Sequence, residues 1–324
     1  MIVIPPLLLR ALSWAAIALA LGCAAVVLVG QGGRWSARFD VLNHFTPVWL
    51  VLALVALCLW LAAGRRDWWA PALAGFAILV CLIQIAPELM ARRGSVPAPG
   101  AEQLKVIQFN AWSRNTDPDA TIAWLVAQKA DIVILEEALG APEIAHTLKR
   151  AYPFRRTCAG ITYCEIEIFS RARPIAWQGL VPSIGVPAAW VTYEGAGGPF
   201  TVAAIHAPWP WPPGPQQYEG ELFAKALEDL PKDRMIVTGD FNSTPWSFSL
   251  RRQDRLFGLE RRTHGVASWP ARAYHDKLPF DPPFPILPID QVYAGKGWKT
   301  VSITRGPKLG SDHYPIIAIL QAAP

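Results

Sequence analysis

The sequence predicts an α/β domain preceded by three transmembrane helices. Three observations carry that prediction. Long stretches without charge crowd the first hundred residues, and they explain why 52% of the 324 residues are hydrophobic. From about Leu104 onward, short apolar runs of strand type alternate with segments of helical periodicity. Polar residues suited to chemistry stand at the ends of several of those runs.

The three apolar stretches come first. Ala11–Gly30 and Trp68–Pro87 carry no charge, and Val41–Gly64 has no Asp, Glu, Lys or Arg. A bilayer core needs about 20 apolar residues per helix, so each stretch is long enough to span. A cleaved signal peptide would not be followed directly by more sequence of the same kind. Arg65-Arg66-Asp67-Trp68-Trp69 reads as a tight hairpin with its Trp pair at headgroup level. The expected organisation is an anchor over 1–93, a linker over 94–103 containing Gly94-Ser95-Val96-Pro97-Ala98-Pro99-Gly100, and a domain over 104–324.

Within the domain, Lys105–Phe109 is expected as the first strand. Thr116-Asp117-Pro118 opens a helix, with Pro where a missing N–H costs nothing, and Ile122, Leu125 and Val126 give it an apolar face. Asp131–Leu135 is a strand, Pro142–Arg150 a helix and Tyr163–Ser170 a strand. Ala188–Tyr193 and Pro199–Ile205 read as strands paired across a Gly-rich turn. Gln216–Leu230 is a helix, and strands follow at Arg234–Thr238, Ile289–Tyr293, Thr300–Thr304 and Pro315–Leu320. About 220 residues suffice for one sizeable core.

Asn110 ends Val106-Ile107-Gln108-Phe109, and Glu136-Glu137 end Ile132-Val133-Ile134-Leu135. His206 ends Val202-Ala203-Ala204-Ile205. Gly239-Asp240-Phe241-Asn242 follows Met235-Ile236-Val237, Asp290 sits in Pro288-Ile289-Asp290-Gln291-Val292, and Ser311-Asp312-His313 precedes Ile316–Leu320. Carboxylates, amides and imidazoles at strand ends suit a hard divalent cation and phosphate chemistry. From about Leu104 to Leu320 this ordered set resembles the endonuclease/exonuclease/phosphatase superfamily, the deoxyribonuclease-I-like fold, in its membrane-anchored bacterial branch. Gly239-Asp240-Phe241-Asn242 and Ser311-Asp312-His313 are the most specific parts, and Thr244-Pro245-Trp246-Ser247 extends them.

The resemblance implies a four-layer α/β sandwich, two facing sheets flanked by helices, with the site at one edge. It implies Mg²⁺, with Mn²⁺ as the alternative, held by Glu137 and Asp312; Glu136 stands where the family usually has Gln. Asp240 would orient or deprotonate water and Asn242 would contact a phosphate oxygen. His313 would contact the phosphate or act as acid/base with its tautomer fixed by Asp290, and His206 would support the leaving group. Asn110 would bind phosphate or the metal's water shell. Trp112 departs from nucleases of the family that carry an acidic residue two positions after this Asn, which weakens the case for a second metal there.

Two apolar loops adjoin these residues, Ala207–Pro215 with Trp209 and Trp211, and Leu278–Leu287. Trp favours the membrane interface, so Trp209 and Trp211 are expected to contact a phosphorylated lipid. The domain holds 23 Lys and Arg against 21 Asp and Glu, a weak footprint for a general DNA binder. Arg251, Arg252, Arg255, Arg261 and Arg262 are either a solvated helix face or an attraction for anionic lipid or nucleic acid. The expected activity is a metal-dependent phosphoesterase acting on a lipid phosphate, pyrophosphate or phosphodiester, with a membrane-tethered nuclease as the alternative. The lipid bilayer is the expected partner, and no protein partner is inferable.

Three spans place Met1 and the domain on opposite sides. Arg34, Arg38, Arg92 and Arg93 then share the domain's side and Arg10, Arg65 and Arg66 the other, which leans the positive-inside rule toward a cytoplasmic domain. The Cys158/Cys164 pair, separated by a Gly-containing turn, and the outward-facing anchored phosphatases of the resemblance lean the other way. The expectation is an extracytoplasmic domain.

Overall fold

The computed structural model describes residues 5–64, 68–91, 94–96, 103–272 and 281–323. Arg65–Asp67 of the expected hairpin, Pro97–Gly100 of the linker and Leu278–Phe280 of the second apolar loop lie outside the described residues. The chain divides into two compact units: Met1–Ala91 with Pro245–Arg251, and Arg92–Thr244 with Arg252–Pro324.

The first unit contains three helices long and apolar enough to cross a membrane, within Pro6–Arg34, Ala37–Ala62 and Trp69–Met90. Proline sits in the first turn of the helices beginning at Pro6 and Thr46, where it removes no intrahelical bond. The second apolar stretch does not begin as an α-helix. Val41–Phe45 is a 3₁₀ turn, and the α-helix starts at Thr46. The three helices meet mainly through small side chains, with Ala20, Ala56 and Ala74 in one cluster and Cys23, Val27, Ala53, Ala77 and Cys81 in another. Large apolar side chains such as Trp14, Leu28, Leu61 and Ile83 point outward. Small residues at the contacts with Leu and Trp outside is the packing of helices in lipid.

The second unit is an α/β sandwich of two six-stranded mixed sheets flanked by helices. Its strands are β1 (Gln103–Asn110), β2 (Ile132–Glu136), β3 (Phe154–Thr157), β4 (Glu167–Ser170), β5 (Pro174–Gly179), β6 (Ala188–Tyr193), β7 (Phe200–His206), β8 (Met235–Asp240), β9 (Glu260–Arg261), β10 (Asp290–Ala294), β11 (Trp298–Arg305) and β12 (Ile316–Ala322). One sheet runs β11-β12-β1-β2-β4-β3 and the other β5-β6-β7-β8-β10-β9. At each centre is a parallel pair, β1 with β2 and β7 with β8.

Strand alternation sorts the side chains into layers. Val106, Ile132, Ile134 and Ile168 of the first sheet pack with Val191, Val202, Ala204, Ile236 and Val292 of the second, forming the inner core. Their neighbours Ile107, Phe109, Val133 and Leu135 face the other way and pack on Leu125, Ile144 and Leu148 of the helices Pro118–Ala127 and Pro142–Ala151. The sequence did not predict β3 and β5, whose residues, apart from the buried Thr157, are half-buried to exposed and show no clean apolar alternation. It also drew Tyr163–Ser170 as one strand. Only Glu167–Ser170 is strand, because the residues before it close a loop through the Cys158–Cys164 disulfide, with Cα atoms 5.6 Å apart.

Gly239 explains why the Gly-Asp-Phe-Asn run begins with glycine. Its φ is +147°, and an added Cβ would fall on the Ile205 carbonyl oxygen of the paired strand β7. Only glycine lets β7 and β8 approach here. Gly239→Ala is therefore expected to lower stability by about 3 kcal/mol or more and to separate the strand ends carrying His206 and Asp240. A thermal melt of the variant within a degree of the parent would refute this.

Candidate active site

The polar residues at one rim of the sandwich continue its inner apolar faces at a period of two. Val106 leads through Gln108 to Asn110, Ile132 and Ile134 lead to Glu136, Val202 and Ala204 lead to His206, and Ile236 leads to Asp240. Asp290 opens β10, ahead of the inward Val292. The register then brings them together. Asn110 lies opposite Glu136, His206 opposite Asp240, and Asp240 opposite Asp290.

Asn110 is the joint between the sheets. Its Nδ2 donates to Glu137 Oε1 at 3.1 Å and to Asp240 Oδ2 at 3.1 Å. Its Oδ1 accepts from the Trp112 N–H, and its carbonyl accepts from Ser311 Oγ at 2.7 Å. The same Ser311 oxygen accepts the His313 N–H, so the Ser-Asp-His run is fixed to the end of β1. Glu137 has a left-handed backbone, φ 54°, which turns the chain out of β2, and its Oε2 accepts the Ser113 N–H at 2.8 Å.

His313 sits between two carboxylates. Its Nδ1 is 2.8 Å from Asp290 Oδ2 and its Nε2 is 3.5 Å from Asp240 Oδ2. Burial works to lower its pKa, but the charges of Asp290 and Asp240 outweigh it, and the imidazole ends well above its ordinary value. Burial pushes Asp240 up to about 6, with Asp290 adding to the shift and His313 opposing it. Asp240 Oδ1 accepts the Asn242 N–H at 2.8 Å. The Asn242 Nδ2 faces Ala207 O at 2.9 Å and Asp240 Oδ2 at 3.4 Å, so this amide holds the loop in place.

His206 stands at the other side of Asp240, Nε2 to Oδ2 3.9 Å, with Glu165 Oε2 3.6 Å from its Nδ1. Burial lowers His206, but the Glu165 hydrogen bond and the Asp240 charge more than offset this. Asp312 has a different hydrogen-bond partner. Its Oδ2 accepts from Trp269 Nε1 at 3.2 Å, while its Oδ1 is buried without a hydrogen-bond partner. Burial raises Asp312, His313 and Trp269 oppose the rise, and the Glu137 charge adds to it. Asp240, Asp290 and His313 also bring possible ligand atoms within 4.8 Å of one another.

A family model described as the Endonuclease/Exonuclease/phosphatase family matches residues 107–313. The chain belongs to this family. The three activities in that name all cleave phosphoester bonds, and the rim residues just described fall within or at the end of the matched span. Solved structures of the same fold include beta toxin of Staphylococcus aureus with bound magnesium ions, 14% identical with a TM-score of 0.51 over 68% of this chain and 100% of that one. Sphingomyelinase C of Streptomyces griseocarneus is 16% identical, TM-score 0.51, with the same shares of 68% and 100%. TDP2 of D. rerio, complexed with a single-strand DNA product, is 14% identical, TM-score 0.52, over 68% and 100%. At these identities the likeness is one of fold. No curated protein matches the chain.

Three residues of the site escaped sequence reading. Gln108 Nε2 donates to Glu136 Oε2 at 3.0 Å and to Asp290 Oδ1 at 2.7 Å, clamping two buried carboxylates from opposite sheets. It was findable, two residues before Asn110 on the same strand face. Glu165 follows Cys164 and reaches His206 only through the fold. Trp269 holds Asp312 from a loop with no sequence signal. Trp209 is half-exposed and packs edge-on against Trp269, centroids 6.2 Å apart, while Trp211 is exposed.

Proposed function

We propose that this protein is a membrane-anchored, divalent-metal-dependent phosphoesterase whose substrate is a phosphorylated lipid. The observation that carries the lipid reading is the convergence of both apolar loops on Trp269. Trp209 packs on its indole, and the Ile286 N–H donates to its carbonyl at 2.9 Å. The same indole N–H holds Asp312. Trp209, Trp211, Phe284 and Ile286 are all exposed, an apolar edge beside a polar site. The three helices long and apolar enough to cross a membrane would anchor the chain in the bilayer where such a substrate resides.

Glu137 and Asp312 fit a divalent cation. A buried carboxylate oxygen without a partner, Asp312 Oδ1, is costly until a positive charge or a proton meets it. The atoms of Asp240, Asp290 and His313 are engaged with one another, with Gln108 and with Asn242, and both Glu137 oxygens accept hydrogen bonds as well, so it is the unpartnered Asp312 oxygen that favours the Asp312 side. Mg²⁺ suits such a set of oxygens, and a cation there supplies charge to the phosphate oxygens.

The remaining chemistry belongs to side chains. Asp290 accepts a hydrogen bond from the His313 Nδ1 proton, and the flanking carboxylates keep the ring protonated, so Nε2 also carries a proton and can present it to a phosphate oxygen. Asp240, raised toward neutrality by burial, orients the attacking water. His206, oriented by Glu165, stands ready to protonate the leaving oxygen. Asn110 fixes Glu137 relative to Asp240, and Asn242 fixes the loop after Asp240.

Full-length protein assayed with Mg²⁺ should hydrolyse a prenyl pyrophosphate or phospholipid in preference to plasmid DNA. Efficient DNA nicking without lipid turnover would make it a nuclease, and activity indifferent to a chelator would remove the metal. Asp240→Asn and His313→Ala should each lower kcat by about 10²-fold or more. Glu137→Gln should raise the Mg²⁺ requirement more than Glu136→Gln; the reverse order would move the metal to Glu136.

We further propose that the catalytic domain lies outside the cytoplasm. The Cys158–Cys164 disulfide supports this, since disulfides persist in oxidising compartments. Alkaline phosphatase fused after Pro324 should be active and green fluorescent protein dark. Fluorescence with free thiols at both cysteines would place the domain inside.

A further inference from the structure

Away from the rim, a cavity of about 480 Å³ opens between residues 94–95, 260–264 and 296–300, within the size range of small-ligand sites. It contains none of the residues assigned to the reaction. Its walls are rich in cations. Arg261 pairs with Asp254 and Arg262 with Glu260. Lys296 and Lys299 are exposed, and neither has an ion-pair partner among the described residues. Among the described residues, the only carboxylate in the lining is Glu260, the one engaged by Arg262.

The polar atoms left over are of one kind. Arg262 Nε, Trp298 Nε1 and Thr300 Oγ1 are buried without a hydrogen-bond partner, and all three residues line the cavity. Two are obligate donors, and a hydroxyl can donate. The Arg262 Nη2 is fixed by the carbonyls of Ala294, Gly295 and Trp298 at 3.3–3.4 Å, so the guanidinium is pre-positioned. Ser95 is fixed as well, its N–H and Oγ both donating to the Thr300 carbonyl at 2.9 and 2.7 Å. Unpartnered donors beside two uncompensated ammonium groups call for a ligand with several acceptor oxygens and negative charge.

We propose that this cavity binds a phosphate group, distinct from the one hydrolysed at the rim. Phosphate matches two lysines and a fixed guanidinium in both charge and acceptor count. Its source is either free phosphate or the headgroup of an anionic lipid. Gly94 follows Met90, the last residue of the third apolar helix, by four positions in the sequence.

The test uses the full chain in neutral detergent with a chelator present, so that metal-held phosphate at the rim does not contribute. Inorganic phosphate is titrated by calorimetry into the parent and into Lys296→Ala/Lys299→Ala, whose exposed positions leave the core intact. In a second arm, both proteins are melted in phosphatidylcholine discs with and without phosphatidylglycerol. Phosphate affinity at least about tenfold weaker in the variant supports a free-phosphate site. A phosphatidylglycerol-dependent rise in Tm seen only in the parent, without phosphate binding, supports the lipid headgroup. No binding in either arm, or equal responses from parent and variant, overturns the proposal. With Mg²⁺ restored, the variant should hydrolyse a soluble phosphodiester at the parent rate, and a parallel loss of that rate would count against a separate site.

Discussion

The structure depends on how it buries three carboxylates at one rim. Glu136, Asp240 and Asp290 are each essentially inaccessible. Burial raises Glu136 far above the carboxylate range, and the charges of Asp290 and Asp240 raise it further. An uncompensated buried carboxylate costs several kcal/mol, so three of them need donors at fixed places. The donors come from both sheets. Gln108 serves Glu136 and Asp290, Asn110 and Asn242 serve Asp240, and His313 stands between Asp240 and Asp290. If one sheet slipped against the other, an acceptor from one would lose a donor from the other. The chemistry of the site and the register of the sandwich are therefore one constraint.

That constraint also explains why the residues gathered at the rim could be picked out from the sequence. A period of two carries information from the core to the rim, because inward-facing residues stay inward until the strand ends. Asn110, His206, Asp240 and Asp290 each occupy the inner face at the end of a strand whose apolar members were visible in the sequence. The α/β class and the two strand-end motifs followed from the same pattern. Layer order and the pairing of β1 with β12 did not, since nothing local to Gln103–Asn110 specifies a partner two hundred residues away.

Where legibility failed, the cause was a contact made across the fold. Glu165 is a charged residue beside a cysteine until β4 is placed next to β2 and the His206 side chain comes within 3.6 Å. Trp269 lies in an irregular loop whose backbone pairs with Leu287, and its reach to Asp312 exists only in three dimensions. The Asn242 Nδ2 contacts with the Ala207 carbonyl and with Asp240 Oδ2 are likewise made only in three dimensions. Pattern reading finds which residues end a strand. It does not find which of them hold the others still.

The helical unit adds a constraint of its own. It includes Pro245–Arg251, which begins three residues after Asn242. Asp40 is buried, and its carboxylate accepts the N–H groups of Phe248 and Ser249 at 2.8 and 2.6 Å and the Ser249 hydroxyl at 2.7 Å. Trp246 Nε1 donates to the His44 carbonyl at 3.1 Å. A carboxylate receiving the first N–H groups of the Phe248–Phe257 helix is a helix cap, and here it comes from two hundred residues earlier in the chain. Cutting the chain at the linker would remove that cap and leave those N–H groups to find water. Asp40 and His44, which precede the apolar helix that starts at Thr46, thus supply hydrogen bonds to Trp246, Phe248 and Ser249 within this unit.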